Sequence, residues 1–186
     1  MMNSQFVSRA GEKLYHAITN FEVDVTELMC ADFGSSTGGF VDCLLQQGAS
    51  KVYSVDTSYG ELAWKLRNDG RVVVMERKNA MHIKLPEKVD LITIDVGWTK
   101  QELIIPNASW NLKDDGKIIT LIKPHYEASQ LVRGGKLDEK FEDEILDKVT
   151  KKIESLGLKV IATTVSPIVG KRGGNTEYLS LVEKQH

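Results

Sequence analysis

The stretch from residue 28 to residue 47 constrains the fold more than any other part of the chain. An apolar run over 28–33 stops at Gly34, and Phe40, Val41, Leu44 and Leu45 then recur at helical spacing over 38–47. A strand that turns through glycines directly into a helix is the start of a βαβ unit. Similar signals follow. Residues 51–55, 71–75, 89–94 and 117–122 read as strands, the last entered through a turn at Asp114-Asp115-Gly116. Residues 61–67 and 138–156 read as helices, with Gly157 as the C-cap of the second, and 159–165 and 178–182 as the last strands. A helix over 8–21 precedes the first strand, and a glycine-containing loop over 126–137 follows the fifth.

Near-continuous β-branched runs suit parallel strands covered on both faces. The βαβα order therefore predicts an α/β fold: a Rossmann-like, doubly wound, mostly parallel seven-stranded sheet with helices on both faces. At 186 residues the chain is expected to form one domain, residues 1–186. Its 27% of charged residues nearly balance, at a formal net charge of −2, so composition does not announce a nucleic-acid binder. A local basic face remains compatible with that balance. Cys30 and Cys43 lie in apolar segments without metal-ligand spacing and read as buried hydrophobes in a reducing compartment. No metal site is expected. No apolar run approaches the ~20 residues that span a bilayer, and no secretory leader is evident, so a cytoplasmic protein without membrane contact is expected.

Open α/β sheets bind ligands beyond the carboxyl ends of their strands, and Gly34, Asp56, Asp95 and Lys123 each directly follow a strand. The turn Asp32-Phe33-Gly34-Ser35-Ser36-Thr37-Gly38-Gly39 has glycines where a backbone must approach a ligand closely. The N–H groups at the start of the next helix suit an anion: a pyrophosphate in NAD, a carboxylate in S-adenosylmethionine. Asp56 is placed to accept from ribose hydroxyls in either case. The spacing favours S-adenosylmethionine, because Ser36 stands where the pyrophosphate of NAD prefers a glycine.

Four more polar residues stand out: Lys13 on the first helix, Asp95 and Lys123 at strand ends, and Glu177 entering the last strand. Singly, each reads as a solvated lysine or a capping acid. If the fourth and fifth strands are neighbours, Asp95 and Lys123 converge on the cofactor, as ionisable groups do at functional sites. The matching chemistry is methyl transfer to a hydroxyl, which needs the oxygen positioned and its proton removed.

Six segments carry a family resemblance: Ser8-Arg9-Ala10-Gly11-Glu12-Lys13-Leu14, then residues 32–42, 51–56, 62–71, 121–128 and 166–178. In these the chain resembles the TlyA-like branch of the FtsJ-type ribosomal RNA ribose 2′-O-methyltransferases, whose members often carry the name hemolysin. The resemblance implies a catalytic Lys-Asp-Lys-Glu tetrad at Lys13, Asp95, Lys123 and Glu177, with Lys123 as the proton acceptor or its tuner. It implies a cofactor site of Asp32, Gly34, Ser35, Ser36, Thr37, Gly38, Gly39, Phe40 and Asp95, with Asp56 on the ribose and Asn79 near the adenine. RNA is the implied partner, not DNA.

The sequence also departs from that family. Members commonly carry a small RNA-binding domain ahead of the methyltransferase, whereas this sequence begins at the catalytic helix. RNA affinity is then expected from the domain's own surface or a partner, with Arg9, Lys65, Arg67, Lys171 and Arg172 as candidates or as ordinary solvated cations. The loop after Lys123 is shorter than usual, and Gly97-Trp98 replaces a Ser-aromatic pair; Trp98 stacks on a base or, the favoured reading, packs under a loop. A cofactor-binding but silent assembly factor or effector is the alternative of a different class, though such a protein needs neither both lysines nor both acids. A methyltransferase acting on a small molecule or protein shares the scaffold.

Overall fold

The computed structural model describes residues 5–170 and 173–185. Seven strands form one sheet in the order β3-β2-β1-β4-β5-β7-β6. They are β1 (Met29–Phe33), β2 (Lys51–Val55), β3 (Val72–Met75), β4 (Val89–Ile94), β5 (Leu112–Ile122), β6 (Leu158–Val165) and β7 (Tyr178–Lys184). β1 lies between β2 and β4 in parallel register, and β7 runs antiparallel to both of its neighbours, β5 and β6. The chain therefore reverses direction across the sheet between β1 and β4, where a crevice opens at the strands' carboxyl ends.

Helices cover both faces, as expected. On one face α1 (Ala10–Asn20), α2 (Gly39–Gln46) and the single turn α3 (Trp64–Arg67) bury Leu14, Ile18, Phe40, Leu44 and Leu66 against β1 and β2. On the other, α4 (Gln101–Asn111) and α6 (Glu142–Ser155) bury Ile104, Ile105, Ile145, Val149 and Ile153. Gly157, in the left-handed region at φ 79°, closes α6 as expected, its N–H reaching the Glu154 carbonyl.

Four local expectations need correction. The helix foreseen over 61–67 forms only from Trp64, and that over 138–156 begins as a 3-10 turn at Glu139–Phe141. Asp114–Gly116 do not form a separate turn. They lie within β5, where Leu112 pairs with Val89 and Lys117 with Leu91, so the extra residues bulge from the ladder. The loop after Lys123 holds the short helix α5 (Pro124–Glu127), in which Pro124 takes the first-turn position that suits a residue without an N–H.

The first helix reaches the site by packing α1 tightly against α2. A Cβ on Gly39 would lie 2.3 Å from Ser8 Oγ and 2.9 Å from Ala10 Cβ, so only glycine lets the two helix starts touch. Gly39→Ala is expected to push α1 outward and cost about 1–3 kcal/mol. Thermal unfolding should show a Tm several degrees lower, and an unchanged Tm would mean the helices have room to spare.

Candidate active site

Two cavities meet at the crevice. Lys13, Asp32, Gly34, Ser35, Ser36, Thr37, Gly39, Phe40, Asp95, Lys123 and Glu177 line the larger, of about 720 Å³, together with Ser8, Arg9, Trp98, His125, Tyr126 and Gly170. The smaller, of about 230 Å³, shares Gly34, Ser36 and Asp95 with it and runs on past Asp56, Lys78, Asn79 and Met81. The structure thus brings together every residue expected of the site except Gly38. At φ 96° Gly38 caps α2, and its α-carbon faces Leu62 and Leu66 instead of the crevice.

Gly34 is fixed by close approach. Its φ is 91°, and a Cβ there would meet the Asp95 carbonyl oxygen at 2.5 Å. The next turn holds Ser36 in the left-handed region at φ 49°, a conformation that costs a non-glycine residue about 1–3 kcal/mol. Asp56 offsets that strain: one carboxylate oxygen accepts the Ser36 N–H at 2.7 Å, and the other accepts Ser58 N–H and Oγ–H at 2.8 and 2.7 Å. The residue expected to hold a ribose is therefore also the clamp on the loop. A carboxylate offers about four lone-pair sites, so one remains for a ligand.

Asp32 is the most costly residue of the crevice. Its carboxyl is 1% exposed; Oδ1 accepts the Thr93 hydroxyl at 2.7 Å, and Oδ2 has no partner among the described residues. Burial pushes this carboxyl up to about 7, with Asp95 and Asp56 adding to the shift and the Thr93 and Ser35 hydroxyls opposing it. A buried acceptor beside a helix start suits a ligand with a cationic and an anionic group. The zwitterionic amino-acid end of S-adenosylmethionine supplies an ammonium for Asp32 and a carboxylate for the free first-turn N–H groups of α2. The residues present fit that cofactor.

The four candidate catalytic residues form two ion pairs. Lys123 directly follows β5 and Asp95 directly follows β4, so parallel pairing of those strands brings them together. Lys123 Nζ donates to Asp95 Oδ1 at 2.5 Å and to the Val96 carbonyl at 3.1 Å. Lys13, 6% exposed, donates to Glu177, 4% exposed, and joins the first helix to the start of the last strand. Glu177 is held in turn by the loop before it. Asn175 accepts the Leu137 N–H at 2.8 Å and donates to the Gly135 carbonyl at 2.9 Å, pinning the loop after α5 to the loop before β7.

On the cavity wall one expectation needs correction and one residue was missed. Trp98 is not packed under a loop: it is 72% exposed and stacks on Tyr126 with ring centroids 4.5 Å apart. His125 is 8% exposed, and its Nδ1 has no hydrogen-bond partner among the described residues. Nothing but its place after Lys123-Pro124 could have flagged it. Of the basic residues proposed for RNA, Lys65 is paired with Asp42 at 3.0 Å and Arg67 with Glu76, whereas Arg9 lines the larger cavity. Lys171 and Arg172 lie outside the described residues.

A doubly wound sheet with this strand order and a crevice at its switch point defines a Rossmann-like methyltransferase fold. The chain belongs to the FtsJ-like methyltransferase family, whose model matches residues 6–184. It is 41% identical to hemolysin A of Brachyspira hyodysenteriae over 97% of this chain and 78% of that protein. It is 36% identical to the 16S/23S rRNA (cytidine-2′-O)-methyltransferase TlyA of Mycobacterium tuberculosis over 97% of this chain and 69% of that one. A Streptococcus thermophilus structure that bears the hemolysin name superposes with a TM-score of 0.94 at 35% identity, covering 98% of this chain and 68% of that one.

Asp32 ties cofactor binding to pH. Folding raises its pKa from 3.8 to about 7, so in that window the folded chain keeps a proton that the unfolded chain has released. The stability this residue contributes is therefore present at acid pH and lost as pH rises through about 7. Asp32→Asn should raise the Tm of the cofactor-free protein near pH 8, by roughly the 1–3 kcal/mol of an unpaired buried group, and leave it unchanged near pH 4. The same variant should lose cofactor binding by calorimetry, while wild-type affinity weakens as pH falls below about 7. A variant that binds normally would remove Asp32 from the cofactor site.

Proposed function

We propose that this protein transfers a methyl group from S-adenosylmethionine to a ribose 2′-hydroxyl of ribosomal RNA, in the cytoplasm. The observation that carries the reading is the juxtaposition of the two ion pairs Lys13–Glu177 and Lys123–Asp95 in the cavity that the orphaned Asp32 carboxylate also lines. A cofactor alone needs only the Asp32–Phe40 loop, Asp56 and Asn79. Two lysines and two acids beyond it are the equipment for a polar acceptor.

Asp32 and the start of α2 hold the amino-acid end of the cofactor, and Asp56 and Asn79 line the pocket for its nucleoside. When bound, the cofactor supplies an electrophilic methyl group on a sulfonium. The protein's own task is to place a hydroxyl oxygen in line with that methyl and exclude competing water. Lys123, held at two points by Asp95 and the Val96 carbonyl, presents a third proton toward the cavity and orients the acceptor oxygen. Lys13, fixed by Glu177, does the same from the first helix.

The substrate class follows from the rim and from the relatives. Trp98 offers an exposed aromatic face beside the cavity, and base stacking on such a face is worth about 1–3 kcal/mol. Arg9, on the same wall, would meet a phosphate. Relatives named as rRNA (cytidine-2′-O)-methyltransferases, which match nearly the whole chain, favour ribosomal RNA over a small molecule.

Lys123→Ala should reduce methyl transfer to undermethylated ribosomal RNA by at least about 10²-fold while leaving cofactor affinity within a few-fold of wild type. Labelled cofactor and scintillation counting of the RNA measure the first, and calorimetry the second. Transfer at the wild-type rate would refute this role for Lys123. Binding without transfer by the wild-type protein would favour a silent cofactor-binding factor.

A further inference from the structure

Between α5 and α6 the chain folds back on itself as a two-residue hairpin. Arg133 and Lys136 exchange both backbone hydrogen bonds, at 2.9 and 3.0 Å, across Gly134 and Gly135. The two glycines take φ 56° and 81°, the left-handed pair that so tight a hairpin demands. Residues paired directly across a hairpin project to the same side, so two exposed cations stand next to each other there. Like charges in that position weaken the pairing. Folding gains nothing from the arrangement, whereas an anion seated between the two side chains would reverse its sign.

We propose that the Arg133–Lys136 hairpin grips a backbone phosphate of the RNA strand whose ribose enters the larger cavity. This rests on the ribosomal RNA reading above and adds the contact that holds the strand at the rim.

Three observations support the proposal. The first is placement. The Gly135 carbonyl accepts from the Asn175 side chain at 2.9 Å, the Asn175 carbonyl accepts the Gly170 N–H at 2.9 Å, and Gly170 lines the cavity. A ribose in an RNA strand lies between two phosphates, so a strand that puts one ribose in the cavity carries phosphates across its rim. The second is the set of Arg133 itself. Its Nη1 donates to the Gln130 and Val132 carbonyls at 2.9 and 3.1 Å, which fixes the guanidinium and leaves its Nε and Nη2 edge without a partner among the described residues. That edge is a two-donor fork of the kind that matches a phosphate. The third is the state of the nearby acids. Asp138 is taken by Lys140 at 2.8 Å, and Glu139 lies 3.8 Å from Lys136 in an exposed pair of the kind that holds weakly.

The test is binding of a labelled, unmodified ribosomal RNA transcript at a series of salt concentrations. Arg133→Ala/Lys136→Ala should bind about 10-fold or more weakly at low salt. Its plot of log affinity against log salt should be shallower by about 0.7–0.9, the share of one phosphate. Arg133→Lys keeps the charge and loses the fork, so its slope should stay near wild type while its affinity falls between the two. The control removes two exposed cations at the opposite end of the sheet, Lys88 ahead of β4 and Lys159 at the start of β6. Lys88→Ala/Lys159→Ala should keep wild-type affinity and slope. Cofactor affinity and Tm of the hairpin variants, measured alongside, should match wild type.

Wild-type affinity and slope in the double hairpin variant would overturn the proposal. So would an equal loss in the control, which would reduce the hairpin to a general attraction between cations and RNA. Wild-type protein that binds the transcript and transfers no methyl would bring down the functional reading, while the affinities still decide for or against the hairpin. Wild-type protein that does not bind the transcript would bring down both.

Discussion

A buried ammonium is tolerated only beside a carboxylate, and the chain meets that requirement for Lys13 with a residue 164 positions away. The pair joins the helix that precedes the sheet to the strand inserted last and antiparallel between β5 and β6. Removing Glu177 alone would strand a buried charge, at a cost of about 3–5 kcal/mol. Around this closure the rest of the site is assembled: Gly39 lets α1 approach α2, and Asn175 ties the loop before Glu177 to the loop after α5. Topology supplies the other half without special loops, because the parallel pairing of β4 and β5 sets Asp95 against Lys123.

Stability and function pull apart at the cofactor loop. Asp32 is buried with one oxygen unsatisfied among the described residues, and Ser36 is held in the left-handed region. Neither helps the fold by itself. Both make sense if the loop is shaped for a ligand with a cationic and an anionic end, with Asp56 serving as the internal strut that keeps the loop ready. Such local disagreement between folding and function is expected where a site must be preorganised.

The sheet was legible in the sequence because β2 to β6 are rich in β-branched residues and β1 to β5 are each closed by a glycine or a charged residue. The candidate site was legible because those closing residues fall at one edge of the sheet. What escaped was set by tertiary contact. α4 carries Pro106 in its middle and no clear apolar periodicity, and it is fixed instead by Glu127 accepting the Gln101 N–H and by Thr120 donating to the Gln101 side chain. The bulge in β5 depends on its partner strand, not on its own residues. Lys65 and Arg67 read as free cations until the fold sets Asp42 and Glu76 beside them. His125 is an ordinary residue in sequence, and for Trp98 the sequence favours packing under a loop; only the fold sets both on the cavity wall.

The central claim is that the paired lysines and acids serve a ribose hydroxyl of ribosomal RNA. Mapping 2′-O-methylated nucleotides in ribosomal RNA from cells with and without this protein tests it most directly. The account predicts that one or a few ribose methylations disappear in its absence and return with the wild-type chain. Identical maps in both cells would contradict it.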